Sequence, residues 1–109
     1  MKRVMLLASK DMCDILCHAL EDTYITLPCS DPLAGIELLQ TNPDILIVEL
    51  SLPCANGMAF LREHANALPL VRIALTTFVS DQILAELAML GVSSVVLLPF
   101  RVPYLISLI

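Results

Sequence analysis

Short apolar runs alternate with amphipathic segments along this chain. The runs Val4–Ala8, Ile45–Glu49 and Ser94–Leu98 are wholly or almost wholly apolar, which predicts strands buried on both faces of a sheet. Tyr24–Leu27 and Val71–Thr77 are rich in β-type residues and predict two further strands. Between these runs, apolar residues recur at intervals of three and four, the spacing of amphipathic helices.

Capping residues stand at the ends of the helical segments. Serine and aspartate are good caps for a helix start, and proline is favoured in the first turn. Gly91 is predicted to stop the fourth helix in the left-handed conformation. The predicted starts are Ser9 before a helix over 10–22, Asp31 with Pro32, the loop before Met58, Ser80, and Pro103 for a short last helix.

Strands that alternate with helices within 109 residues predict one α/β domain, with a parallel sheet and helices on both of its faces. In such sheets the working surface lies at the carboxyl ends of the strands. We therefore expect the residues at those ends to gather in one place. They are Ala8, Ser9, Glu49, Thr76, Thr77 and Leu98.

Composition narrows the classes of partner. Hydrophobic residues make up 58% of the chain and charged residues 16%, and the net charge is −5 with the six basic residues scattered. This balance argues against direct nucleic-acid binding. No apolar run approaches the roughly 18 residues of a membrane helix, and the start is not typical of a signal peptide, so we expect a cytoplasmic protein. The apolar excess suggests a surface that a partner protein covers.

Four cysteines, Cys13, Cys17, Cys29 and Cys54, are interpreted mainly as reduced thiols that pack as small hydrophobic groups. The histidines do not stand at zinc-ligand spacing from a cysteine pair. A redox sensor built from Cys29 and Cys54 is an open alternative, because both follow predicted strands at one edge of the sheet. Neither has a neighbouring Lys or Arg that would lower its thiol pKa.

Three segments together resemble a known family. They are PDILIVELSLPCANGMAFL around the third strand, the Thr-ended fourth strand, and LGVSSVVLLPF near the end. The order of elements and these segments resemble the receiver domain of bacterial two-component response regulators, over essentially the whole chain. The resemblance implies a flavodoxin-like sheet with strand order 2-1-3-4-5.

The resemblance also implies an active site, most of which this chain lacks. Receiver domains carry an acidic pair after strand one, a phosphoacceptor aspartate after strand three, a hydroxyl after strand four, and a lysine before the Pro-Phe step. An aromatic residue in strand five usually reports the state of the site. The matching positions are Ala8 and Ser9 for the acids, Glu49 for the phosphoacceptor, Thr76 for the hydroxyl, Leu98 for the lysine and Val95 for the aromatic residue.

These substitutions predict that neither Mg²⁺ nor a phosphoryl group is held. Mg²⁺ usually needs one or two carboxylates besides phosphate and water, and Asp11, the nearest other acid, lies within the first turn of the first helix. Without metal and lysine, the charge on a transferring phosphoryl group would face Thr76 alone. Two interpretations of Glu49 stay open: an imitation of a phosphorylated aspartate, and a solvated acid left in a site that no longer works.

We therefore predict a phosphorylation-independent pseudo-receiver, not an enzyme, that acts as a protein-interaction or dimerisation module of a signalling or transcription regulator. An output domain outside this chain is part of this interpretation, and a receiver that still accepts phosphate is the alternative to it. The resemblance places the interface on the fourth helix, fifth strand and fifth helix. The candidate residues are Gln82, Glu86, Met89, Val102, Tyr104 and Ile106.

Overall fold

The structure, a computed structural model, describes residues 1–52 and 55–109. Its main sheet has five strands, and helices connect them. The strands are β1 (Arg3–Leu7), β2 (Ile25–Cys29), β3 (Ile45–Glu49), β4 (Val71–Thr76) and β5 (Ser94–Leu97). The helices are α1 (Lys10–Leu20), α2 (Pro32–Leu39), α3 (Gly57–Glu63), α4 (Asp81–Met89) and α5 (Val102–Ser107).

The five strands are all parallel and lie in the order β2-β1-β3-β4-β5. The predicted α/β fold and its strand order are thereby confirmed. In the register of the central pair, Leu7 of β1 lies beside Val48 of β3. The next residues along each strand, Ala8 and Glu49, therefore come to the same edge of the sheet.

The sheet separates two apolar cores. Successive side chains of a strand point to opposite faces, and β1 shows this directly. Met5 and Leu7 pack in a core with residues of α2, α3 and α4, whereas Val4 and Leu6 pack in a core with residues of α1 and α5. Burial on both faces explains why β1 and β3 read as continuous apolar runs. The prediction that Ser94–Leu98 is also buried on both faces is wrong, because β5 lies at an edge of the sheet and Leu97 is exposed there.

The predicted caps are confirmed at three helices. The Ser9 hydroxyl accepts a hydrogen bond from the Met12 amide at the start of α1, and Ser80 caps α4 in the same way. Asp31 caps α2, with Pro32 in its first turn. Gly91 has a φ of +75°, so the predicted left-handed stop after α4 is confirmed as well.

Several predicted boundaries are wrong by one or two residues. The first helix ends at Leu20 rather than at residue 22, because the amides of Thr23 and Tyr24 turn back to the Leu20 carbonyl. The second strand runs over Ile25–Cys29, so it starts one residue later and ends two residues later than the predicted Tyr24–Leu27. It lies at an edge of the sheet, where burial is incomplete and the apolar pattern is weak.

The connection after β3 contains a feature that the sequence pattern did not predict. Ser51–Leu52 pairs with Ala55–Asn56 as a short antiparallel hairpin before α3. The third helix ends at Glu63, and a 3₁₀ turn at Ala65–Ala67 follows it. None of the helices in the described ranges has the length and apolar character needed to span a bilayer.

Candidate functional site

The carboxyl ends of β1 and β3 are joined by a side chain. Glu49, the last residue of β3, is partly buried, and its Oε1 accepts a hydrogen bond of 2.8 Å from the backbone amide of Ser9. Ser9 is the N-cap of α1, so the carboxylate lies close to the partial positive charge at the start of that helix. Ala8, which precedes it, is fully buried. The structure thus brings Ala8, Ser9 and Glu49 together.

Thr76 is engaged elsewhere. Its hydroxyl donates to the carbonyl of Phe78 at 2.9 Å and accepts from the amide of Phe78 at 3.3 Å. Both hydrogen-bonding functions of this buried side chain are therefore used within the loop that leaves β4. The sequence carried a signal for this pairing, because hydroxyl groups at the start of a loop commonly bond to backbone groups two residues further on.

The backbone of Leu98 contacts the site, whereas its side chain packs outside the site. Its amide donates to the carbonyl of Thr76 at 2.8 Å, which holds the end of β5 against β4. Its side chain packs against the core of α1 and α5, which contains Val96 and Leu105. Val95 is turned to the opposite core, beside α4. Position 98 thus places an apolar group at the edge of the sheet, and position 95 contributes to packing.

The donor set at this edge does not fit Mg²⁺. This ion prefers near-octahedral oxygen ligands, with one or two carboxylates besides phosphate and water. The residues that end β1, β3, β4 and β5 supply one carboxylate, Glu49, and one of its oxygens already accepts from the Ser9 amide. Asp11 is exposed on α1. Within residues 1–52 and 55–109, no three acidic, histidine or cysteine side chains form a group that could hold a metal.

Cys13 and Cys29 are not activated thiols. Burial raises the pKa of Cys29 to about 11, and the nearby Cys13 and Asp31 add to this effect. Burial also raises the pKa of Cys13, whose sulfur lies 3.6 Å from the carbonyl oxygen of Ala8. A high pKa keeps a thiol protonated and slow to react. Cys54, the other member of the predicted redox pair, lies outside the described residues.

The candidate interface residues lie on and near α4 and α5. Gln82, Met89, Tyr104 and Ile106 are exposed, and Val102 is partly buried. Glu86 differs from them, because its carboxylate receives two hydrogen bonds from Arg62 of α3, at 2.5 and 2.7 Å. This pairing draws Glu86 towards α3, so it is the least suited of the six to an interface. The sequence offered no signal for a pair that is separated by 24 positions.

Solved structures of similar shape are numerous, although no protein-family model and no curated protein matches the chain. The chemotaxis protein CheY4 of Vibrio cholerae is 21% identical, with a TM-score of 0.86 over 98% of this chain and 94% of that one. The non-phosphorylated HemR receiver domain of Leptospira biflexa is 20% identical, with a TM-score of 0.88 over 99% and 90%.

A two-component response regulator of Clostridium difficile is 17% identical and has a TM-score of 0.88, over 98% of this chain and 91% of that one. At sequence identities this low, the similarity shows a shared backbone fold. It does not show a shared chemistry of the site. All three comparisons cover at least 98% of this chain with TM-scores of 0.86 or more. The chain therefore has the fold of the CheY-like receiver domain of response regulators.

Proposed function

We propose that this chain is a receiver-type signalling module that works without phosphorylation, by binding a protein partner or a second copy of itself. The fold supports the assignment to the receiver-type class of protein. The residues at the carboxyl edge of the sheet support a role that does not need phosphorylation. The observation that carries the proposal is the hydrogen bond from the Ser9 amide to Glu49. It gives the one acid at the phosphoacceptor position a structural partner within the chain.

The surroundings of Glu49 support the absence of phosphoryl transfer. Catalysis of this transfer depends on positioning and on stabilising the charge of the phosphoryl oxygens. The side chain at position 98 is an uncharged leucine that is directed into the core of α1 and α5. The Thr76 hydroxyl is bonded to Phe78 on both its donor and its acceptor side. A phosphoryl group on Glu49 would therefore meet no cationic side chain at position 98 and a Thr76 hydroxyl that is already bonded to Phe78.

The same contacts bear on the two interpretations of Glu49. An imitation of phosphoaspartate would have to draw the Thr76 hydroxyl towards the carboxylate, and that hydroxyl is directed at Phe78. If Glu49 were only a solvated acid in a site that no longer works, it would not be expected to accept a 2.8 Å hydrogen bond from the Ser9 amide. We infer a third role, in which Glu49 ties the end of β3 to the start of α1 and fixes the shape of the edge.

The interaction surface is proposed on α4, β5 and α5. Apolar side chains stand exposed on each of these three elements, although water is a poor environment for them. A cluster of this kind, in a chain with few charges, is typical of a surface that is covered in an assembly. The exposed side chains are Leu84, Met89, Leu97, Tyr104 and Ile106.

Exposure to a phosphodonor tests the proposal. The purified chain is incubated with acetyl phosphate and Mg²⁺, and its intact mass is then measured. We expect an unchanged mass, because no described group at the edge would hold the metal or the phosphoryl oxygens. A receiver domain with a complete acidic pocket, treated in parallel, shows that the donor and the metal are active.

An added phosphoryl mass would refute the proposal and favour the alternative of a working receiver. Repeating the reaction with Glu49→Gln then locates the modification, since loss of the added mass in this variant assigns it to Glu49. If the phosphodonor changes neither the mass of the chain nor its partner binding or dimerisation, the result supports a module that works without phosphorylation.

A further inference from the structure

We propose that a groove between α1 and the segment after β5 binds a neutral, largely apolar small molecule. The groove lies at the carboxyl edge of the sheet, and its volume is about 410 Å³. We call it the α1–α5 groove. The residues that define it are Met12, Ile15, Thr77, Leu98, Pro99, Phe100 and Val102. This inference goes beyond the proposed signalling role and does not depend on it.

Volume and lining determine the class of ligand. Pockets for small organic ligands have volumes of about 300 to 1,000 Å³ and are mostly apolar, with few polar groups. The α1–α5 groove lies within that range, and no charged side chain lines it among the described residues. A charged ligand would lose hydration there without gaining an ionic partner. The ligand is therefore expected to be uncharged.

The apolar side chains of the groove come from separate parts of the chain and converge. Met12 and Ile15 are supplied by α1, and Leu98 and Phe100 by the segment that follows β5. Ile15 is 52% exposed, although Leu16 beside it is fully buried. Single exposed apolar residues are ordinary on protein surfaces. Here Ile15 meets the partly buried side chains of Met12, Leu98 and Phe100 in one hollow. The hollow offers a ligand a concave apolar surface whose burial would be favourable.

Thr77 gives the groove one polar point. It is exposed and follows Thr76, whose hydroxyl is taken by Phe78. A hydroxyl at the rim of an apolar pocket orients a ligand that has a single hydrogen-bonding group. The carboxyl edge of a parallel sheet is also the usual place for ligands in α/β domains. A flat apolar ring with one hydroxyl matches this arrangement.

Titration of the isotope-labelled chain with a naphthol, followed by two-dimensional NMR, tests the inference. We expect saturable shifts that are concentrated at Met12, Ile15, Thr77 and Leu98. Naphthoate, the anionic analogue, should bind at least tenfold more weakly. Ile15→Lys and Leu98→Lys should each raise the Kd for naphthol at least tenfold, because each places a charge in the groove.

Leu70→Lys is the matched control, since Leu70 is 91% exposed and precedes β4 at the opposite edge of the sheet. It should leave the Kd unchanged. If Leu98→Lys does not fold, Ile15→Lys decides alone, because its position is exposed. Shifts that do not saturate, shifts that map elsewhere, or an unchanged Kd in Ile15→Lys would overturn the inference. So would groove signals that move on dilution without naphthol, because a second copy would then be covering the groove.

Discussion

Glu49 shows what a single residue adds to the edge of the sheet. Its place at the end of the third strand was predictable from the apolar run ILIV that precedes it. Its partner was not predictable, because the Ser9 amide comes within reach only through the pairing of β1 with β3. Local pattern determines where a strand ends, whereas the register between strands determines which groups meet there.

Removing this carboxylate should lower stability. Glu49→Ala leaves the Ser9 amide without its acceptor, and hydrogen bonds to charged groups contribute about 1.5 to 3 kcal/mol. Because Glu49 is only partly buried, we expect the free energy of unfolding in urea to fall by about 1 kcal/mol. Glu49→Gln keeps a carbonyl acceptor and should lose less. Glu37→Ala, at an exposed acid on α2, is the control, and an equal loss there would refute the proposed tie.

Gly57 explains the glycine of the motif after the third strand. A Cβ atom at this position would lie 2.5 Å from the carbonyl oxygen of Glu49 and 2.9 Å from the Cα of Leu50. Both obstacles are backbone atoms, which cannot move aside as a flexible side chain would. The start of α3 can therefore approach the end of β3 this closely only where the side chain is absent.

Gly57→Ala should accordingly destabilise the fold by about 2 kcal/mol or more, as forced overpacking does. Gly35→Ala is the matched control. A Cβ there meets side-chain atoms of Phe60 and Met5 at 3.2 and 3.3 Å, and alanine favours the helix in which Gly35 lies. Thermal unfolding of both variants measures the difference. Equal melting temperatures would show that the backbone near Gly57 relaxes.

At the scale of elements, the predictions succeeded where the pattern was long and failed where it was short. The strands β1 and β3 are almost continuously apolar, because their neighbours cover both faces. The hairpin of Ser51–Leu52 and Ala55–Asn56 escaped prediction, since two-residue strands are too short to show alternation. Strand β2 was misplaced because, as an edge strand, it shows little of the apolar pattern.

The helices α3 and α4 are linked by the Arg62–Glu86 pair. The hydrogen bonds from Arg62, together with its charge, lower the pKa of Glu86 below its ordinary value of 4.5. Because the folded state holds this carboxylate ionised, the pair stabilises the fold above that value. The stabilisation is lost as the pH falls through the lowered pKa of Glu86.

A comparison of the chain with Glu86→Gln tests this pH dependence. The variant should be slightly less stable at neutral pH, by a small amount because the pair is exposed to solvent. The difference in urea midpoint should shrink as the pH falls below 4.5, and also in high salt, which screens exposed charges. Glu37→Gln, on α2, controls for the loss of any surface carboxylate. A difference that persists in acid would mean that Glu86 acts through packing rather than charge.

In the whole molecule, the many hydrophobic residues lie in two kinds of place, the cores and the surface. Most of them fill the two cores on either side of the sheet, as the alternation of strands and helices predicted. The remainder lies on the surface, and the exposed apolar residues of α4, β5 and α5 form part of it. The sequence alone did not show which apolar residues lie in a core and which lie on the surface. A helix that contacts only a core can carry as many apolar residues as a helix that also contacts a partner protein.

If a second copy covers the α4–β5–α5 face, association should depend on concentration and on this surface. Met89 is 89% exposed on α4, and Tyr104 is 54% exposed on α5. A typical stable interface buries about 1,600 Å² in total, and a charge placed at its apolar centre loses hydration without gaining a partner. Met89→Lys and Tyr104→Lys should therefore each weaken dimerisation at least tenfold in sedimentation equilibrium. Leu33→Lys, at an exposed leucine of α2, should leave it unchanged. A chain that stays monomeric at all concentrations would exclude the homodimer and leave a different protein as the partner. Equal weakening of dimerisation by all three variants would place the interface elsewhere.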